Sequence, residues 1–131
     1  MRVANVIARS IVAMGALYAA AGLAAAPAPG STSNGEAAAA VCRACHTFHA
    51  AQPNGAGPNL HGLFGRRAGS VTGFAYSPAL KASGIVWNEQ ALNEFLAAPA
   101  KRVPGTRMPI SVTDPAKRAA VIAYLKAETA K

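Results

Sequence analysis

The chain has 131 residues, 52% of them hydrophobic, and 13 lysines and arginines against 5 acidic residues give a formal charge of +8. Twenty of the first 26 residues are hydrophobic; the 105 that follow have an ordinary globular composition, enough for one domain and too few for two. A disordered tail is excluded, membrane character is confined to the N-terminus, and the one-sided charge points to acidic partners.

At the start, Arg2 and Arg9 precede Ile11 to Ala26, an uncharged, mostly apolar run ending in Ala24-Ala25-Ala26. A basic beginning, a short apolar core and small residues at an A-x-A site predict a secretory signal peptide over 1–26. The alternative is an uncleaved anchor. Ile11 to Ala26 is shorter than the ~20 residues that span a bilayer, but a span from Val3 onward suffices if Arg9 snorkels. Residues 27–34 read as a linker and 35–131 as the domain, exported in either case. Without Arg2 and Arg9 its charge is +6.

Next comes Glu36 to Val41, alanine-rich and helix-favouring, so Cys42-Arg43-Ala44-Cys45-His46 falls at a helix end. This is the C-x-x-C-H pattern of covalent haem attachment. Two thiols three residues apart reach the two vinyl groups on one edge of a porphyrin, and the adjacent His46 offers an imidazole to the iron. A thioredoxin-like dithiol needs a βαβ context, and no alternating strands are legible. A structural zinc site needs a second ligand pair, and the chain has no further cysteine.

The iron's sixth position has few candidates. Beyond the signal the only methionine is Met108, in Val103-Pro104-Gly105-Thr106-Arg107-Met108-Pro109, a proline-flanked loop suited to holding a weak thioether ligand. His/Met ligation raises the reduction potential and fills both axial positions. His49 is too close to His46 to reach the other face, and His61 reads as a surface residue, with ligation as the alternative.

The rest of the chain is loops and short helices. Residues 53–73 carry six glycines and two prolines, which predicts an irregular wrapping loop. Ser77-Pro78 starts a short helix that Gly84 closes. Asn88 caps a second that runs to about Ala98, where Pro99 stops it. Asp114-Pro115 begins the last, with Ala120, Val121, Tyr124 and Leu125 on one face. No strand or repeat is legible, and a covalent cofactor would supplement so thin a core.

These residues together resemble the small soluble monohaem cytochrome c family of the mitochondrial and bacterial type. The likeness runs over about 35–131. It rests on C-R-A-C-H, Gly57-Pro58-Asn59-Leu60-His61-Gly62-Leu63-Phe64-Gly65-Arg66-Arg67, Gly73-Phe74-Ala75-Tyr76, Gly84-Ile85-Val86-Trp87, Pro104 to Met108, and Ile122-Ala123-Tyr124-Leu125-Lys126. The resemblance implies an all-α fold of a few short helices and loops wrapped around one covalent haem c. Cys42 and Cys45 would carry its thioethers, and His46 and Met108 would bind its iron. It also implies that the Pro58 carbonyl orients His46, and that Tyr76, Trp87, Arg66 and Thr106 surround the haem propionates.

Three positions depart from the family. Phe95 stands where a tyrosine usually donates to the methionine sulfur, Leu80 replaces a pocket asparagine, and Ala38 replaces an aromatic between the terminal helices. The last predicts a weaker helix contact, with Phe48 or the apolar face of the C-terminal helix as a substitute.

The function implied is a periplasmic one-electron carrier, monomeric and not an enzyme. It would shuttle between a membrane reductase and an oxidase or photosynthetic reaction centre, docking on their acidic patches through Arg43, Lys101, Arg102 and Arg107. Nucleic acid is not an expected partner, and membrane contact is expected only if 1–26 are retained. The rival readings are a haem peroxidase or gas sensor with an open sixth position, and a tethered subunit of a larger oxidoreductase.

Overall fold

A computed structural model describes residues 29–131; the signal peptide or anchor assigned to 1–26 lies outside the described residues. Five helices follow in chain order: α1 (Pro29–Arg43), α2 (Pro78–Ala82), α3 (Glu89–Ala97), α4 (Pro99–Arg102) and α5 (Pro115–Glu128). Among the described residues there is no strand, only an isolated bridge between Arg67 and Val86. None of these helices is long and apolar enough to cross a membrane.

The helix starts lie where short-range chemistry puts them. Ser77, Asn88 and Asp114 each accept a backbone N–H three residues on, from Leu80, Ala91 and Lys117. Pro78 and Pro115 occupy first-turn positions where a missing N–H costs nothing. Two boundaries differ from expectation. α1 begins at Pro29, so the described part of the stretch read as linker is helical. Pro99 does end α3, but it also opens the single turn α4, again as a first-turn proline.

The core forms where α1, α3 and α5 meet. Val121, Ile122 and Leu125 of α5 are buried with Leu92, Phe95 and Leu96 of α3 and Ala38 and Cys42 of α1. The terminal helices are not loosely joined, as the small Ala38 had suggested. A Cβ on Gly35 would stand 2.8 Å from the Tyr124 Cβ and 2.9 Å from the Ala120 carbonyl, so the backbones approach as closely as a glycine permits. Ala39, one turn further on, is completely enclosed. Small residues here close the gap by bringing the helices together. Phe48 then packs edge-on against Tyr124, with ring centroids 6.4 Å apart.

The long glycine-rich segment is tied down by backbone bonds. Leu60 donates to Thr47 at 2.8 Å, Gly62 to Thr129 at 2.7 Å, Ala68 to Ile85 at 2.8 Å and Trp87 to Arg66 at 2.9 Å. On the other side Val112 donates to Leu96 at 2.7 Å. These ties fix the walls of one cavity between the loop, α3 and the methionine segment.

Candidate functional site

That cavity has a volume of about 410 Å³, within the range of ~300–1,000 Å³ usual for small-molecule and cofactor sites. Every site residue expected from the sequence lines it: Cys42, Cys45 and His46 from the motif, Pro58, Arg66, Tyr76 and Trp87 from the connecting segments, and Thr106 and Met108 from the loop before α5.

The motif lies at the end of α1. His46 N–H and Cys45 N–H both bond the Cys42 carbonyl, at 2.9 and 3.1 Å, which turns the chain so that Cys42 is buried and Cys45 exposed. Burial pushes the Cys42 thiol above its ordinary pKa, with its own backbone hydrogen bond opposing. The His46 Nδ1 lies 2.7 Å from the Pro58 carbonyl. This contact suits a protonated Nδ1 and leaves Nε2 as the free donor atom. Burial holds the imidazole below its ordinary pKa; the Pro58 contact works against this and the Arg66 charge adds to it. Gly57 makes room for the ring, since a Cβ there would come within 2.6 Å of Nδ1 and 2.9 Å of Nε2.

The polar groups of the wall lack anionic partners. Arg66 donates only to carbonyls, to His61 at 2.6 Å and Asn59 at 3.0 Å. Burial lowers its pKa, and Tyr76 works in the opposite direction. The Tyr76 hydroxyl accepts the Val71 N–H at 3.3 Å, which leaves its own proton to donate. Trp87 is buried, its ring 5.2 Å from that of Phe95 in an edge-on contact. Thr106 accepts the Met108 N–H at 3.3 Å, which holds the methionine loop.

The other histidines lie elsewhere. His61 does not line the cavity, and its Nδ1 is buried without a hydrogen-bond partner; His49 lies outside it too, 4.0 Å from Glu128. Among the described residues no group of three or more His, Cys, Asp or Glu could hold a separate metal ion.

No protein-family model matches the chain. Individual proteins do. It is 46% identical over 89 residues to cytochrome c of Cochliobolus lunatus, covering 67% of this chain and 82% of that protein. Against cytochrome c of Nigella damascena the identity is 42%, over 80% of this chain and 96% of that protein. A solved structure, cytochrome cH from Methylobacterium extorquens, matches with a TM-score of 0.68 at 46% identity, over 73% of this chain and 97% of that one. The chain belongs to the cytochrome c family. It is therefore an electron-transfer protein with the all-α cytochrome c fold and one covalent haem c.

The residues present fit that group. A cytochrome c needs two thiols at C-x-x-C spacing and a neighbouring imidazole, and Cys42, Cys45 and His46 meet at one wall. It also needs donors for buried carboxylates, and the cavity holds a guanidinium with no carboxylate partner beside a phenol and an indole.

Three features of this cytochrome were not legible in the sequence. Ser77, read only as a helix cap, is 5% exposed and also lines the cavity; its place beside Tyr76 was the available signal. Arg43 and Arg102, expected at the docking edge, are engaged elsewhere. The Arg43 guanidinium lies over the rings of Phe48 and Tyr124 and bonds the Tyr124 hydroxyl. Arg102 pairs with Glu94 at 3.0 Å. Of the four cations assigned to that edge, only Arg107 lines the cavity.

Proposed function

We propose that this cytochrome c is a periplasmic one-electron carrier whose haem is held by Cys42 and Cys45 and ligated by His46 and Met108. The observation that carries the reading is the convergence on one cavity of the motif, the Pro58-oriented imidazole and the only methionine of 29–131. When bound, the haem supplies an iron that gains and loses one electron. His46 and Met108 would both hold the iron, one from each wall of the cavity, so little in the polypeptide would have to move as charge changes. Pro58 keeps Nε2 of His46 free for the metal. Arg66, Tyr76, Trp87 and Thr106 would offer their hydrogen-bond donors to the propionates, offsetting the cost of burying them. Leu80 and Phe95 leave their part of the wall apolar and without the hydroxyl or amide common in the family.

The signal-like 1–26 supports export, and the +6 charge that remains supports membrane redox complexes with acidic patches as partners. The protein acts as a monomer, with membrane contact only if 1–26 are retained. Intact mass and a visible spectrum of protein from its host test the reading. The expected result is one non-extractable haem, a mass lacking 1–26 and a weak far-red sulfur-to-iron band in the ferric state. A high-spin spectrum without that band would favour the open-site alternative of a peroxidase or gas sensor.

A further inference from the structure

Asn59 stands between Pro58 and Leu60, whose backbones meet the ligand segment at the His46 Nδ1 (2.7 Å) and the Thr47 carbonyl (2.8 Å). Asn59 is half-buried, and each of its own polar groups is paired. Its N–H donates to the Asn54 Oδ1 at 2.8 Å, and its side-chain nitrogen donates to the His49 and Gln52 carbonyls, each at 2.9 Å. Its Oδ1 accepts the His61 N–H at 2.6 Å, which closes a local turn. Both hydrogen bonds of Arg66 run to that turn: Nη2 donates to the Asn59 carbonyl at 3.0 Å and Nη1 to the His61 carbonyl at 2.6 Å. One anchor of the guanidinium is therefore the backbone of Asn59, and the other is held in place by its side chain.

We infer that Asn59 is a positioning residue for Arg66: the turn closed by its side chain holds the guanidinium in the cavity wall, where its charge raises the reduction potential of the bound haem. A guanidinium is a planar fork, so two fixed carbonyls on Nη1 and Nη2 fix the plane of its remaining N–H groups. The side-chain nitrogen of Asn59 fastens the same turn to His49 and Gln52, in the segment that follows His46. The cation wall and the ligand segment are thereby locked to one another through one amide. A positive charge held beside the site disfavours the more positive, oxidised iron. Without the turn the long side chain is free to swing toward water, where its charge is screened. Among the described residues no carboxylate pairs with Arg66, so no ion pair would keep it in the wall. The inference rests on the reading above that Arg66 meets the propionates, and it names what holds Arg66 there.

The test is the reduction potential of low-spin holoprotein, measured by spectroelectrochemistry at neutral pH, with denaturant unfolding alongside. Asn59→Ala is expected to shift the redox equilibrium toward the ferric form about threefold, or about 30 mV at ~59 mV per tenfold. Arg66→Leu is expected to shift it further. Adding Asn59→Ala to Arg66→Leu is expected to shift it no more, because a residue that acts through Arg66 then has nothing left to position. The hydroxyl introduced by Asn59→Ser closes the same turn more weakly, so its potential is expected between those of wild type and Asn59→Ala. If Asn59→Ala yields no low-spin holoprotein, Asn59→Ser carries the test, alone and combined with Arg66→Leu. Lower stability with an unmoved potential in the Asn59 variants makes the residue merely structural and overturns the inference. A rise in potential assigns its action to the His46–Pro58 contact and overturns it too, as does a fall that persists when Arg66→Leu is present. In each of these cases a lowered potential in Arg66→Leu leaves the carrier reading intact. An unmoved potential in Arg66→Leu overturns both the inference and the placing of Arg66 beside the propionates.

Discussion

Arg118 donates through one guanidinium nitrogen to the carbonyl of Val112 at 2.8 Å, and the same nitrogen lies 3.0 Å from the Thr113 carbonyl. Its Nε donates to Asn93 of α3 at 2.7 Å. The arginine is only 9% exposed, and its hydrogen-bond partners are neutral. It joins α5, α3 and the segment that follows Met108. Replacing it with Ala would leave the buried Val112 carbonyl without this partner. Hydrogen bonds to a charged group contribute ~1.5–3 kcal/mol each before relaxation, so Arg118→Ala is expected to destabilise by about 2–4 kcal/mol. Denaturant unfolding of the holoprotein measures this, and a loss under about 0.5 kcal/mol would show that the tie is not structural.

Gly57 and Gly62 separate two reasons for a glycine. Gly57 has no left-handed backbone, but a Cβ there would run into the His46 ring. Gly62 has φ +66° and nothing within 4 Å of its missing Cβ. Gly57→Ala is expected to displace the imidazole and reduce the yield of low-spin holoprotein. Gly62→Ala is expected to keep the native spectrum and lose about 1–2 kcal/mol, the usual cost of a left-handed residue with a side chain. Absorption spectra and unfolding curves of the pair check the distinction.

Burial raises the Tyr76 pKa, while the Val71 N–H and the Arg66 charge pull it back. A folded pKa above the unfolded value of ~10 means that the fold prefers the phenol. The associated stability is present below that value and is lost as pH rises through the folded pKa. Ultraviolet titration is expected to show a phenolate that forms above the ordinary tyrosine range and disappears from the curve in Tyr76→Phe. Ionisation of Tyr76 at or below that range would contradict the burial assigned to it.

Alkaline pH is expected to displace Met108 in favour of Lys101. In the family a lysine of the same loop replaces the methionine, but the residue before Met108 is Arg107, which stays protonated and cannot ligate. Lys101 is the nearest lysine in sequence and is exposed on α4. Lys101→Ala should shift loss of the far-red band to higher pH or leave a hydroxide-type spectrum. The same amine-type spectrum at the same midpoint would assign another ligand.

Much of this protein was legible from residues close together in sequence. The C-x-x-C-H spacing lies within five residues of one helix end. The caps at Ser77, Asn88 and Asp114 act over three residues, and local backbone geometry therefore reveals them. The family motifs also led to every cavity-lining residue expected from them. Side-chain placement across the fold was not legible in this way. Arg118 reads as an ordinary charged helix residue until α3 and the Met108 loop close over it. Arg43, eight positions from Gly35 on the same helix, turns onto Phe48 and onto Tyr124, 81 residues away. Gly35 itself carries no local signal, because its need for a missing Cβ exists only where α1 crosses α5. Burial and pairing of this kind depend on which distant faces meet, and i, i+3 and i, i+4 spacing records only the face that each segment offers.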